Sequence, residues 1–170
     1  IMANATRKMT PKEVGEECQR VLMNREMRAN LRRLERAGAR VAYRSVDVRD
    51  AAAVRQLVDD AQREFGAITG LIHGAGVLAD RRIEKKTEAQ FENVVSTKLD
   101  GAVNFLNALA ANPLKCLVFF SSTTARFGRI GQADYAMANE TLDKVAQREA
   151  RRRPDCRVVA LNWGPWAGGM

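Results

Sequence analysis

A single histidine, His73, stands among the 170 residues, and that scarcity excludes more chemistry than any other feature of the composition. A multi-histidine metal site is ruled out, and no obvious Ser-His-Asp hydrolase remains. The three cysteines, Cys18, Cys116 and Cys156, lie far apart and form no CxxC pair, so neither a zinc knuckle nor a redox pair is suggested. Reduced, mostly buried thiols and no metal are expected. No apolar run approaches the roughly 20 residues of a membrane helix, and IMANATRKMTPKEV has no apolar stretch of signal-peptide length. The expected setting is soluble and cytoplasmic, without a membrane span.

What is present suits one globular α/β unit: 46% hydrophobic and 28% charged residues over a length that can bury a sizeable core. The formal charge of +8 is local. Residues 1–44 hold 11 Lys or Arg against 5 acids, and the remainder 17 against 15. In REMRANLRRLERAGAR the arginines at 25, 28, 32 and 36 recur at helical spacing opposite Met27, Leu31 and Leu34. This describes a solvated helix face. A nucleic-acid partner is not expected, because no aromatic is interleaved to stack on bases.

Hydrophobic periodicity predicts a long or broken helix over 12–37, a strand over VAYRSVDV (41–48), and a helix over 50–66 with Asp50 as N-cap and Gly66 as its stop. ITGLIHGAGVL (68–78) reads as a buried strand entering a tight loop. A helix follows from about Thr87, with Gln90 completing a capping box. LKCLVFFSS (114–122) suits a strand buried on both faces. After the loop TTARFGRIG come a helix from Gln132, closed by Pro154, and a last strand, CRVVALNWGPW (156–166). Strands alternating with helices predict parallel βαβ units.

In such a sheet, ligands sit beyond the carboxyl ends of the strands. Those ends carry Asp47 and Val48, then HGAG (73–76), then Ser121 and Ser122, then NWGPW (162–166). Tyr135 and Asn139 are an i, i+4 pair on one helix face, and Lys98 and Asn104 sit on the preceding helix, near enough in topology to reach the same edge. A lysine beside a tyrosine favours the phenolate, as a general acid acting near neutral pH requires, and a serine hydroxyl can bond a carbonyl oxygen as it gains charge. Together these roles describe carbonyl reduction. Taken singly, each residue also suits a plainer part: tyrosines pack on amphipathic helices, serine pairs end strands, and a lone helix lysine is solvated.

The combination resembles a known family. HGAGVLAD, STKLDGAVNFL, FFSSTTARFGRIGQADYAMAN and NWGPW, in that order, resemble the ketoreductase domains of polyketide synthases and of multidomain polyunsaturated-fatty-acid synthases, members of the short-chain dehydrogenase/reductase superfamily. The resemblance runs from about Arg25 to Met170. It implies Tyr135 as proton donor, Ser122 orienting the carbonyl, Lys98 supporting Tyr135 and the nicotinamide ribose, and Asn139 completing the tetrad. It implies NADPH as hydride donor, with Asp47 and Val48 by the adenine, although Asp47 is equally a turn residue before the helix. Gly74, Ala75 and Gly76 would allow close backbone approach to the cofactor, and Pro165 and Trp166 would lie near the nicotinamide. His73 is expected to be structural. The implied substrate is a 3-oxoacyl group on the phosphopantetheine arm of an acyl carrier protein, within a synthase whose other domains are partners.

Relatives that deliver a 3R-hydroxyl tend to carry Leu-Asp-Asp after the HxAG motif. Here the triplet is Leu78, Ala79, Asp80. Relatives of opposite outcome tend to have a tryptophan eight residues before the tyrosine, where this chain has Phe127. A 3R product is the expectation.

The superfamily opens with a strand, a G-x-G-x-x-G loop and a helix that receive the pyrophosphate, and no such segment occurs here. The expected fold is therefore an incomplete Rossmann-like parallel sheet of about four strands with flanking helices, the first two strands of the fold missing. Residues 1–40 form a helical lead-in and 41–170 the C-terminal, catalytic part. In the 3-2-1-4-5-6 order the missing strands separate VAYRSVDV from the next strand, so it either lacks a neighbour or pairs with that strand directly. Two functions follow: a ketoreductase whose isolated 170 residues are inactive, or a non-catalytic structural or docking fragment of a synthase unable to bind cofactor alone.

Overall fold

A computed structural model describes residues 10–165, and it divides the chain into two compact units, Ile1–Arg44 and Ser45–Met170. Within the first unit a single helix, α1 (Pro11–Arg36), begins with a capping box: Thr10 Oγ1 accepts the Glu13 amide and the Glu13 carboxylate accepts the Thr10 amide. None of its residues is buried, and Cys18 on it is exposed, so the expectation of mostly buried thiols holds only for Cys156 and, half-buried, Cys116. Gly38, at φ +87°, takes the left-handed conformation just past its end.

The second unit is built on a parallel sheet of β1 (Gly70–His73), β2 (Cys116–Ser122) and β3 (Arg157–Trp163), ordered β1-β2-β3. The helices α2 (Ala51–Phe65), α3 (Glu88–Ala108) and α5 (Ala133–Arg152) connect and cover it, and a one-turn helix, α4 (Thr124–Phe127), occupies the segment expected to be loop. Local chemistry sets the ends. Asp50 accepts the amides of Ala52 and Ala53 to start α2, Gly66 at φ +86° ends it, and Thr87 with Gln90 caps α3.

Leu117 and Phe119 on β2 are fully buried in one cluster with Leu106 of α3, Leu109 at its C-cap and Leu142 of α5. Each such side chain contributes about 1.5–3 kcal/mol by leaving water. The alternate residues on β2, Cys116, Val118 and Phe120, are only half-buried, and their neighbour Ile72 is 68% exposed. The apolar run of β2 is thus not buried on both faces: the described helices cover one face of the sheet only.

Among the described residues the sheet has three strands, where about four are expected. VAYRSVDV forms no ladder with any described residue, including β1. A strand is defined by its partner, and β-rich composition does not substitute for one. Among the described residues no helix is long and apolar enough to cross a membrane.

Candidate active site

The carboxyl ends of the three strands open onto one cavity of about 620 Å³, whose lining includes Gly74, Gly76, Leu78, Lys98, Ser122, Tyr135 and Pro165. Parallel strands of equal register place these ends side by side: Ser122 pairs with Trp163, and His73 with Phe119 three positions earlier on β2. A mixed wall results. The tilted rings of Phe120 and Trp163, 5.8 Å apart, supply its apolar part.

Tyr135 enters from the first turn of α5. Among the described residues its hydroxyl has no hydrogen-bond partner, and the Lys98 ammonium lies 5.5 Å from its ring centroid. Lys98 is on α3, its side chain almost wholly buried, and it donates to the Phe120 carbonyl at 2.7 Å. Burial lowers its pKa from 10.5 to about 8, and the nearby Asp143 carboxylate partly offsets that. His73, 2% exposed, donates from Nε2 to the Lys98 carbonyl at 2.9 Å and is held neutral by burial. It fixes the lysine's backbone from below.

Ser122 lies at the end of β2, and its Oγ accepts the Thr124 amide at 3.1 Å. With that lone pair occupied, the hydroxyl proton is free to point into the cavity. Asn139 does not line the cavity. It is fully buried one turn behind Tyr135, donates to the Tyr135 carbonyl at 2.7 Å, and leaves its Oδ1 without a partner among the described residues. Beneath it, Asn162 donates to Asp143 at 2.8 Å and to Ser121 Oγ at 3.3 Å, while Ser121 donates to the Asn139 carbonyl.

Other expected positions stand apart from the cavity wall. Asp47 is exposed, and its carboxylate accepts from the Arg49 guanidinium and backbone amide, which hold its pKa down to about 2. Its carbonyl accepts the Asp50 amide, so these contacts are those of a turn leading into α2. Val48 packs its side chain toward Gly101 of α3, and Asn104 donates to the carbonyls of Val48 and Arg49. Asn104 is thus committed to the α2 lead-in and does not reach the cavity edge. Ala75 is half-buried between the two glycines; Asp80 is exposed and bonded to Gln132; Trp166 lies outside the described residues.

Phe127, Arg129 and Gln132 complete the wall, and the last two carry no mark in the sequence that assigns them a part in it. Their only signal is position: they lie between Ser122 and Tyr135, where any connection must skirt the mouth. Lys98 spends one of its three N–H donors on Phe120, and the Tyr135 hydroxyl is unengaged. Unpartnered donors beside a free hydroxyl fit a diol such as the ribose of a nicotinamide nucleotide.

The family model for the KR domain matches residues 15–168. The chain belongs to the ketoreductase (KR) domain family. It is similar to a polyunsaturated fatty acid synthase chain from a Thraustochytrium species, 39% identical over 164 residues, which cover 96% of this chain and 6% of that one. Among solved structures it is similar to an N-terminal ketoreductase from the macrolactin assembly line, with a TM-score of 0.80 and 32% identity over 84% of this chain and 30% of that one. A ketoreductase domain from the bacillaene assembly line gives a TM-score of 0.76 and 33% identity over 96% and 37%. The KR chain therefore spans about a third of those ketoreductases and a small part of the synthase. Its sheet is the Rossmann-like one of these neighbours, incomplete among the described residues.

Proposed function

We propose that the parent protein reduces a 3-oxoacyl group, carried on the phosphopantetheine arm of an acyl carrier protein, to the 3R-hydroxyacyl group with NADPH, and that this chain supplies the groups acting on the carbonyl. The observation that carries this reading is the convergence on one cavity of a free Tyr135 hydroxyl, the Lys98 ammonium at its ring and the Ser122 hydroxyl. NADPH, when bound, supplies the hydride.

The chain's own residues do the rest. Ser122 donates its hydroxyl proton toward the carbonyl oxygen and orients it. Tyr135 gives its phenolic proton to that oxygen as charge develops on it, and Lys98 stabilises the phenolate left behind. Lys98 and Tyr135 would hold the ribose, Gly74 and Gly76 would let the cofactor approach the backbone, and Pro165 with Trp166 would border the nicotinamide. Asn139 supports the tetrad from behind through the Tyr135 carbonyl. The 3R outcome is read from Leu78 on the wall and Asp80 just beyond it, with Phe127 and not a tryptophan eight residues before Tyr135.

A second reading rests on a separate observation: the described residues include no glycine-rich cradle for a pyrophosphate, and VAYRSVDV is unpaired. On that ground the 170 residues alone form a structural fragment that neither holds NADPH nor turns over. Fluorescence titration of NADPH onto this chain and onto the full-length protein separates the two. The full-length protein is expected to bind cofactor, reduce a 3-oxoacyl thioester and yield mainly the 3R alcohol on chiral analysis, with Tyr135→Phe reducing none. A full-length protein that binds NADPH but reduces no such thioester would falsify the ketoreductase reading.

A further inference from the structure

Among the described residues one ion pair is buried at both ends: Lys86 Nζ lies 2.7 Å from Asp134 Oδ2, with side chains 3% and 2% exposed. Burying two charges is unfavourable unless their remaining donors and acceptors are used. Both partners use them. Lys86 Nζ also donates to the Ala79 carbonyl at 2.7 Å, and Asp134 Oδ1 accepts the backbone amide of Tyr135 at 2.9 Å. That amide is among the orphan donors in the first turn of α5, and a carboxylate there also suits the helix dipole. The carboxylate that holds Lys86 therefore also holds the backbone of the tyrosine.

The segment carrying Leu78 and Asp80 meets the same helix end at two further points. Gln132 Nε2 donates to Asp80 Oδ2 at 2.8 Å, and the Arg81 amide donates to the Gly131 carbonyl at 3.0 Å. Gly131 is at φ +86°, and a Cβ there would sit 3.6 Å from the Arg81 backbone, which leaves the two segments in van der Waals contact. Leu78 and Tyr135 both line the cavity but belong to different segments. These contacts register one against the other.

We propose that Lys86 and Asp134 are positioning residues: their ion pair clamps the Leu78–Asp80 segment to the first turn of the Tyr135 helix and so fixes which carbonyl face meets the hydride. The inference rests on the ketoreductase reading above. A buried ion pair is a weak source of stability compared with apolar packing, but it tolerates one geometry, which is what a registration device requires. With the pair intact, substrate wall and proton donor move as one body. Without it the wall shifts against the hydroxyl, and both faces of the carbonyl are offered.

The test uses the full-length protein with NADPH and a short 3-oxoacyl thioester, and compares wild type with Lys86→Gln, Asp134→Asn and Lys86→Arg. Asp134→Asn is included because Lys86→Gln leaves a buried carboxylate without its partner. Both neutralising variants are expected to lower kcat by about 10- to 100-fold, the effect of small misplacement at a reacting centre, with KM changed far less. They are also expected to raise the minor alcohol several-fold, and Lys86→Arg, which keeps charge and donors, to restore most of the product ratio. That ratio does not depend on how much of a variant is folded, so loss of stability alone leaves it unmoved. An active wild type whose variants keep its product ratio overturns the clamp; a wild type that reduces no thioester overturns the ketoreductase reading and the clamp with it.

Discussion

The Lys98 ammonium faces the ring of Tyr135, 5.5 Å from its centroid, from a helix that precedes the tyrosine's own by a full strand. Many simpler relatives by resemblance carry the lysine four residues after the tyrosine, where this chain has Asn139. Here the charge arrives from α3, and Asn139 is turned to the helix backbone behind the site. The same two chemical groups are therefore assembled across the sheet, and the assembly depends on the packing of α3 against α5.

Burial of Lys98 makes opposite demands on stability and activity. Its pKa in the folded protein is about 8, below the ordinary 10.5, so between those values the unfolded chain binds the extra proton. The lysine's contribution to stability therefore rises with pH across that window, while the ammonium that supports Tyr135 is lost as pH passes about 8. Lys98→Met is expected to abolish reduction and to be more stable than wild type near pH 7. Denaturant midpoints of the two should converge from pH 8 to 10.5, and wild-type kcat/KM should fall above about pH 8. A constant gap between the midpoints across that range would sink the assignment.

Among the described residues the Ser122 hydroxyl has one partner, the Thr124 amide. Removing its hydroxyl deletes the donor to the carbonyl oxygen but leaves the end of β2 paired with Trp163. Ser122→Ala should lose about 10²- to 10³-fold in kcat, the scale of one lost donor at a developing oxyanion. Thermal unfolding near the wild-type midpoint would show that the loss is chemical.

Much of this arrangement is legible in the sequence, and the misreadings share one physical cause. Asp50, Gly66, Thr87 with Gln90, and Pro154 mark helix ends by local hydrogen bonding and backbone conformation, and the structure puts the ends there to within a residue or two. The apolar runs of β1, β2 and β3 are equally plain. VAYRSVDV misleads because pairing is non-local: its valines announce a strand, but no described segment offers it a ladder. The cover of β2 misleads likewise, since hydrophobicity cannot say which face a helix reaches. At the cavity, motif alone points to Tyr135, Ser122 and Lys98, and all three line it. It gives no sign of the buried Lys86–Asp134 pair, because 48 residues separate the partners and nothing local links them.

Gly101 separates stability from chemistry. An added Cβ would lie 2.8 Å from Val48 Cγ2 and 3.1 Å from His73 Cε1. Val48 is branched at Cβ and its carbonyl is tied to Asn104, and His73 is tied to Lys98, so neither can yield cheaply. Gly101→Ala should cost about 1–3 kcal/mol by overpacking. The checking measurement is a urea midpoint, and an unchanged midpoint would mean that the α3 packing against Val48 is looser than described.

Gly76 makes the converse case. A Cβ there would meet the far end of Lys98, 3.3 Å from Cε and 3.5 Å from Nζ, and nothing else nearby. The end of a lysine is the softest obstacle in a protein, so the chain relieves the contact by moving the ammonium rather than the backbone. That movement is away from the one place where the charge matters. Gly76→Ala should therefore unfold within a degree or so of wild type, since a displaced lysine tip costs well under the roughly 1 kcal/mol that shifts a midpoint by several degrees. Its kcat should nevertheless fall by about 10-fold or more, because Lys98 no longer sits where Tyr135 needs it. Wild-type turnover from Gly76→Ala would show that the ammonium acts on Tyr135 from a wider range of positions than this cavity suggests.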